Sequence, residues 1–253
     1  IGETLDPLPA APAACWTRGG VRVRLYGGAL ASAADVRVLD GANAAAVLAP
    51  SGDWEIVQFA GAELVGERTY RLSRLLRGQA GSEYAIAASL PAGAPFVLLD
   101  EHLVPLASGL GALERAIELR LVAAGGRHDD RSALVLTVAP KPTALAPLSP
   151  VPVAARRAGD GIHVTWIRRT RRDGDAWGVE VPLGEDAEAY VLDILSGGGE
   201  VVRSIACAAP SALYAAADEL ADFGAPQPVL RGRVAQLSST VGRRPPAAVT
   251  PTP

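Results

Sequence analysis

Apolar and polar residues alternate with a period of two along much of the chain, which predicts short, half-buried strands. Val21, Val23 and Leu25 point one way and Arg22, Arg24 and Tyr26 the other, until Gly27-Gly28 ends the run. Asp35 to Leu39 and Ala44 to Leu48 read as two further strands separated by Asp40-Gly41-Ala42-Asn43, a turn by composition. Trp54 to Phe59 and Thr69 to Leu76 flank a polar Gly66-Glu67-Arg68 break, the pattern of two antiparallel strands joined by a turn. Ser82 to Leu90 suits one or two helical turns with Ser82 as N-cap, stopped by Pro91. Phe96 to Leu99, Leu103 to Leu106 and Leu134 to Val138 read as further strands, while Leu113 to Ala123 suits a helix through Leu113, Ile117 and Leu121 or a strand through Ile117, Leu119 and Leu121, the strand being preferred.

The prolines at positions 140, 142, 147, 150 and 152 then mark a stiff linker. Beyond it the alternation resumes. Val153 to Arg156 is followed by Ile162, Val164 and Trp166 in step, which places Trp166 on a buried face. Tyr190, Leu192 and Ile194 are in register within Glu188 to Leu195, and Ser196-Gly197-Gly198-Gly199 turns the chain into Val201 to Ile205. Val229 to Leu237 and Ala247 to Thr250 follow. Short strands at this spacing describe a β-sandwich. The fold class expected is mainly β: a small β-rich domain over residues 1–145, then a sandwich over residues 146–253.

The length of 253 residues allows about two domains of ~100–150 residues. An apolar share of 49% with 20% charged residues belongs to a folded chain. A net charge of -3 provides no field for a polyanion, so nucleic acid is not an expected partner. No apolar run approaches the ~20 residues of a membrane helix. The absence of methionine, with Ile1 at the start, suggests a piece of a longer polypeptide. Residues 1–18, rich in proline and alanine, read as an extended lead-in.

Candidate chemistry is sparse. His102, His128 and His163 lie far from one another and from any local nucleophile, so no metal or acid/base pair is indicated. Asp129-Asp130 and Asp173-Gly174-Asp175 are carboxylate-rich turns, and Asp173, Asp175 and Glu180 lack the offsets of a calcium loop. Glu185, Asp186 and Glu188 could supply a glycosidase pair only if the fold set two of them across a cleft. Lys141, the only lysine, sits in the proline linker. Cys15 and Cys207 read as two buried thiols, with a long-range bridge as the alternative. No catalytic, cofactor or metal residue is therefore assigned. Arg71, Arg74 and Arg77 read as a solvated or ion-pairing strand edge. Arg168, Arg169, Arg171 and Arg172 form the densest charge in the chain and adjoin Trp177. Arginine and tryptophan are enriched at interface hot spots, which makes these five the partner-binding candidates. Pairing of the arginines with Asp173, Asp175, Glu180, Glu185 and Asp186 is the competing reading.

Two resemblances sharpen this. Thr69, Tyr70, Leu72, Leu75, Leu76, Arg77, Gly78, Gly81, Ser82 and Glu83 spell TY-x-L-x-x-LLRG-x-x-G-S-E. That wording resembles the large tail-tip proteins of siphophages and of gene transfer agents. The Arg-rich segment, the GD-x-W and the PLGE between Trp166 and Tyr190 are similar to a run in the gene-transfer-agent proteins, so the likeness extends from about residue 44 onwards. Residues 148–251 also resemble a fibronectin type III domain, with Trp166 and Tyr190 on successive strands. The connection between them is longer than such a domain requires. The resemblance implies a structural part of a tail tip or baseplate, placed in a phage-like particle after assembly in the bacterial cytoplasm. It implies other tail proteins, a fibre or spike, and further copies of the chain as partners. The alternatives are a glycan-binding module acting through Trp177, Tyr190 or Tyr214, and an envelope-degrading hydrolase, which would need Glu185 or Glu188 here or, as preferred, would carry its catalytic domain upstream and this chain as an accessory part. Host polysaccharide is the partner in the first of these.

Overall fold

The computed structural model describes all residues except 14, 107–108, 172–180, 244–246 and 250–253. The chain divides into two compact units, Ile1–Val104 and Pro105–Pro253. Both are mainly β, as the patterning predicts.

In the first unit six strands close into an antiparallel barrel. In chain order the strands of this unit are β1 (Gly2–Thr4), β2 (Leu8–Pro9), β3 (Gly20–Leu25), β4 (Ala44–Leu48), β5 (Trp54–Gly66), β6 (Thr69–Gln79), β7 (Ser89–Leu90) and β8 (Pro95–Leu98). The barrel runs β1-β3-β6-β5-β4-β8 and closes where β8 pairs with β1, while β2 and β7 form a separate two-stranded ribbon. Val21, Val23 and Leu25 of β3 fill the interior with Phe59, Leu72, Leu75, Leu90 and Phe96. Arg22 and Arg24 face out and pair with Asp6 and Glu3.

Four expectations for this part of the chain are corrected. The lead-in is part of the barrel, because β1 supplies the strand between β3 and β8; three residues are too short to display a period. Asp35–Leu39 is a helix, α1, instead of a strand. Only Val38 of α1 is buried, packing with Ala60 and Leu76, and the Gln58 side-chain amide donates to the carbonyls of Val38 and Ala42 at 2.6 and 2.9 Å. Those bonds tie the end of α1 and the turn after it to β5, so a tertiary contact decides the local structure. Leu103 to Leu106 form no strand. Ser82, expected as an N-cap, precedes the 3₁₀ turn Glu83–Ala85 without capping it; its hydroxyl donates to Gln79 O and accepts from Ile56 N–H.

The second unit holds a two-stranded ribbon, β9 (Ile117–Leu121) with β10 (Leu134–Val138), and a sandwich. The sandwich strands are β11 (Val153–Ala158), β12 (Gly161–Trp166), β13 (Tyr190–Leu195), β14 (Val201–Cys207), β15 (Ser211–Ala215), β16 (Gly232–Ser238), β17 (Gly242–Arg243) and β18 (Ala247–Val249). One sheet is β11-β12-β15; the other is β14-β13-β16-β17, with β18 also on β16. Two antiparallel sheets packed on each other make this a β-sandwich, in keeping with the mainly β expectation. Ile162, Val164, Trp166 and Tyr214 of the first sheet pack against Tyr190, Leu192, Ile194 and Val234 of the second. Trp166 meets Tyr190 edge-on with ring centroids 5.3 Å apart, a favoured aromatic geometry. Strand β15 and a helix, α2 (Ala216–Phe223), went unforeseen between Ile205 and Val229. Gly161 opens β12 at φ +143°, where a Cβ would lie 2.3 Å from Tyr214 O, so only glycine lets β12 approach β15 there. The proline run from Pro140 to Pro152 lies within this unit, between the ribbon and the sandwich.

Candidate functional site

The connection from Trp166 to Tyr190 joins β12 in one sheet to β13 in the other, so its described ends sit at the edge of the sandwich core. Arg168 donates to Val181 O at 2.7 Å and stands 3.9 Å from Glu188. Arg169 donates to Ser149 O at 3.4 Å. Arg171 donates to Glu185 at 3.0 Å and to Gly184 O at 3.4 Å, and the Glu185 side chain is only 6% exposed. Asp186 accepts from the Ser239 hydroxyl. Glu188 accepts from the Tyr190 hydroxyl at 2.7 Å. Burial, and then that carboxylate, push the Tyr190 phenol well above its ordinary pKa. Beside these groups lies a groove of about 430 Å³ lined by Leu110, Leu145, Arg171, Glu185, Asp186 and Thr240.

These arginines thus bind acceptors of their own unit. Arg171 and Glu185 neutralise each other at the groove wall, so the described part of the cluster acts as a strap holding the two ends of the connection together. Arg172 and Trp177, the other two partner-binding candidates, lie outside the described residues. Asp173, Asp175 and Glu180 also lie there.

The arginines of β6 separate into three kinds. Arg71 is exposed and stands opposite Arg22 and Glu63. Arg74, at φ +52°, pairs with Asp35 and lies 5.1 Å over the Trp16 ring. Arg77 departs from the solvated-edge reading altogether. Its side chain is 1% exposed against 0% for Glu55; Nε and Nη2 donate to the two Glu55 oxygens at 2.5 and 2.7 Å, and Nη1 donates to Pro9 O at 2.8 Å. Glu55 also accepts from Gly78 N–H at 3.2 Å. The Arg77-Gly78 step of the tail-tip wording is therefore an internal ion pair followed by a left-handed residue. At Gly78 φ is +61°, and a Cβ would come within 2.8 Å of Glu83 Cα.

Both cysteines are free; Cys15 is exposed instead of buried, while Cys207 is half-buried and its thiol is pushed up by burial. His102 pairs with Asp100 at 3.2 Å and His163 with Asp160 at 2.9 Å, both on the surface. Among the described residues no group of three or more His, Cys, Asp or Glu side chains is placed to hold a metal ion, and no helix is long and apolar enough to cross a membrane.

No curated protein matches the chain. Among solved structures, domains d3-d4 of the rat CD45 extracellular region match at 14% identity over 61% of this chain and 72% of that one. The TM-score is 0.29, too low for any argument about fold or role. Residues 1–97 match the model of a family described as Rcc01698-like, C-terminal, a span that covers the barrel up to Val97 in β8.

Proposed function

We propose that this chain is a structural component of the tail tip or baseplate of a phage-like particle, in which the barrel unit is built into the hub and the sandwich is displayed outward to hold a fibre or spike protein. The observation that carries the reading is the family match over residues 1–97, since Rcc01698 is a gene transfer agent-related protein of Rhodobacter. Two features support it. The tail-tip wording from Thr69 to Glu83 falls on β6 and the turn after it, where Arg77, Gly78 and Ser82 each have a backbone or ion-pairing task, so its specificity is that of a shared scaffold. The sandwich carries a long connection between its two sheets, with the arginine cluster at its base. A structural role is supported by Glu185 and Glu188 each being bonded to a neighbour, Arg171 and the Tyr190 hydroxyl respectively.

Deleting residues 148–253 from the full-length protein and imaging the particles tests the reading. Tails that assemble but lack fibres are expected. Tails that keep every fibre would remove the attachment role, and an undeleted parent strain that makes no tail-like particle would remove the assignment itself.

A further inference from the structure

The outward face of the second sandwich sheet gathers arginines. Its register sets Asp193 of β13 opposite Ser204 of β14 and Arg233 of β16, and Val191 opposite Ala206 and Ala235. Arg231 extends the same row, because its carbonyl accepts from Leu195 N–H at 2.8 Å and it stands two residues before Arg233. Arg243 of β17 pairs with Leu237, a further outward residue of β16. Three guanidinium groups thus share the face with one carboxylate, which leaves two positive charges in excess. Asp193 accepts from the Ser204 hydroxyl at 2.7 Å, from Arg233 Nε at 3.0 Å and from Arg243 Nη2. That contact fixes two of the guanidinium groups, each still about a third exposed. Nη1 and Nη2 of Arg233, and Nε and Nη1 of Arg243, have no acceptor among the described residues. Arg231 is exposed, and its side chain bonds nothing among them.

Charge and spacing together define the occupant. Fixed guanidinium groups with unspent donors suit a planar carboxylate, and they lose little freedom in binding one. Residues two apart on a strand lie about 6.5–7 Å apart, which is the separation of Arg231 and Arg233 along β16. An extended protein segment with acidic side chains at alternate positions has the same repeat, so its carboxylates meet the two arginines in step. The Arg243 guanidinium lies beside that of Arg233 on the same carboxylate oxygen. An acidic polysaccharide carries similar charge, but the remaining outward residues of these strands are aliphatic or small and offer its rings no aromatic surface. We propose that this face docks an extended acidic protein segment through Arg231, Arg233 and Arg243. The proposal needs only the sandwich and stands apart from the tail-tip reading.

The test uses the whole chain and two short synthetic peptides, one of alternating Glu and Ser and one with Gln in place of each Glu. In an amide NMR titration at about 50 mM salt the Glu peptide should move the resonances of Arg231, Arg233, Ala235 and Ser204. The Gln peptide should bind about tenfold more weakly, because several exposed charge pairs, each modest, are lost together. Raising the salt to about 300 mM should weaken the Glu peptide in the same way. Arg231→Glu lies outside the Asp193 contact, so it should remove most of the affinity while the unfolding midpoint of the sandwich stays unchanged. Arg156→Ser, on β11 of the other sheet, should leave binding as it is. Equal binding of the two peptides, full affinity in Arg231→Glu, or no movement of these resonances overturns the proposal. Tighter binding of polygalacturonate at the same residues overturns it in favour of an acidic glycan.

Discussion

Glu55 and Arg77 meet where β5 and β6 are covered on both faces. Leu75 belongs to the barrel interior, Leu76 to the cluster with Val38 and Ala60, and Arg77, 1% exposed, reaches Glu55 and Pro9 O. Taking two charges out of water is costly, and the bidentate contact repays it only while both partners are present. Arg77→Ala should therefore destabilise the barrel unit by about 3–5 kcal/mol, because it leaves the Glu55 carboxylate buried and unpaired. Arg77→Met with Glu55→Leu should restore most of that loss. Amide exchange at Val57, Phe59 and Leu75 reads both, and a small effect of the single change would show that water reaches Glu55. Spacing alone places Arg71, Arg74 and Arg77 in one series. What distinguishes Arg77 is that Glu55 and the Pro9 carbonyl of the distant β2 segment receive it, and no local pattern encodes that.

At the scale of elements, the long alternating strands were legible because their inward residues are large and β-branched or aromatic, as in β3, β12 and β13. Elements that take their structure from a distant contact were not. Helix α1 rests on Gln58, and α2 is held by Glu219, which accepts from Arg157 at 2.7 and 2.9 Å and from Gln227 N–H at 2.8 Å. The site divides the same way: composition found the arginine cluster, but the acceptors of Arg168 and Arg169 are backbone carbonyls that any sequence could supply. Strand β13 adds a device on its outward side. Asp193, 1% exposed by side chain, accepts from Ser204 of β14 at 2.7 Å and from Arg233 of β16 at 3.0 Å, and pairs with Arg243 of β17. Burial raises its pKa, but the donors of Arg243, Ser204 and Arg233 prevail and hold it below the ordinary 3.8. A depressed carboxylate contributes stability that is present above its unfolded value and is lost as the pH falls through the folded one. The thermal midpoint of the sandwich should thus hold from neutral pH down to about pH 5 and fall below about pH 4. Asp193→Asn should lower the midpoint at neutral pH and lose less on acidification. The remaining acid loss belongs to Asp222 and Glu219, which Arg203 and Arg157 hold down in the same way. An unchanged acid slope in Asp193→Asn would remove Asp193 from that balance.

For the whole molecule, the two hydrophobic clusters of the barrel unit draw on residues 8 to 98 alone, and that of the sandwich on residues 153 to 234 alone. A unit of this size with its own closed core can fold by itself. Residues 1–104 expressed alone should give a dispersed amide spectrum and a single cooperative urea transition. The end chosen at the N-terminal side should matter more than its length suggests. Strand β1 is the only element between β3 and β8, bonded to β3 through Gly2, Glu3 and Thr4 and to β8 through Gly2 and Glu3, while the Thr4 hydroxyl donates to Pro91 O and accepts from Ala94 N–H. Without it two strands gain free edges, and the barrel interior opens beside Phe96 and Val23. A chain of residues 5–104 should accordingly lose the cooperative transition or lower its urea midpoint sharply, although it drops just four residues. Equal midpoints for the two fragments would mean that the barrel core holds without closure, and an unfolded 1–104 fragment would mean that its core is completed from outside it.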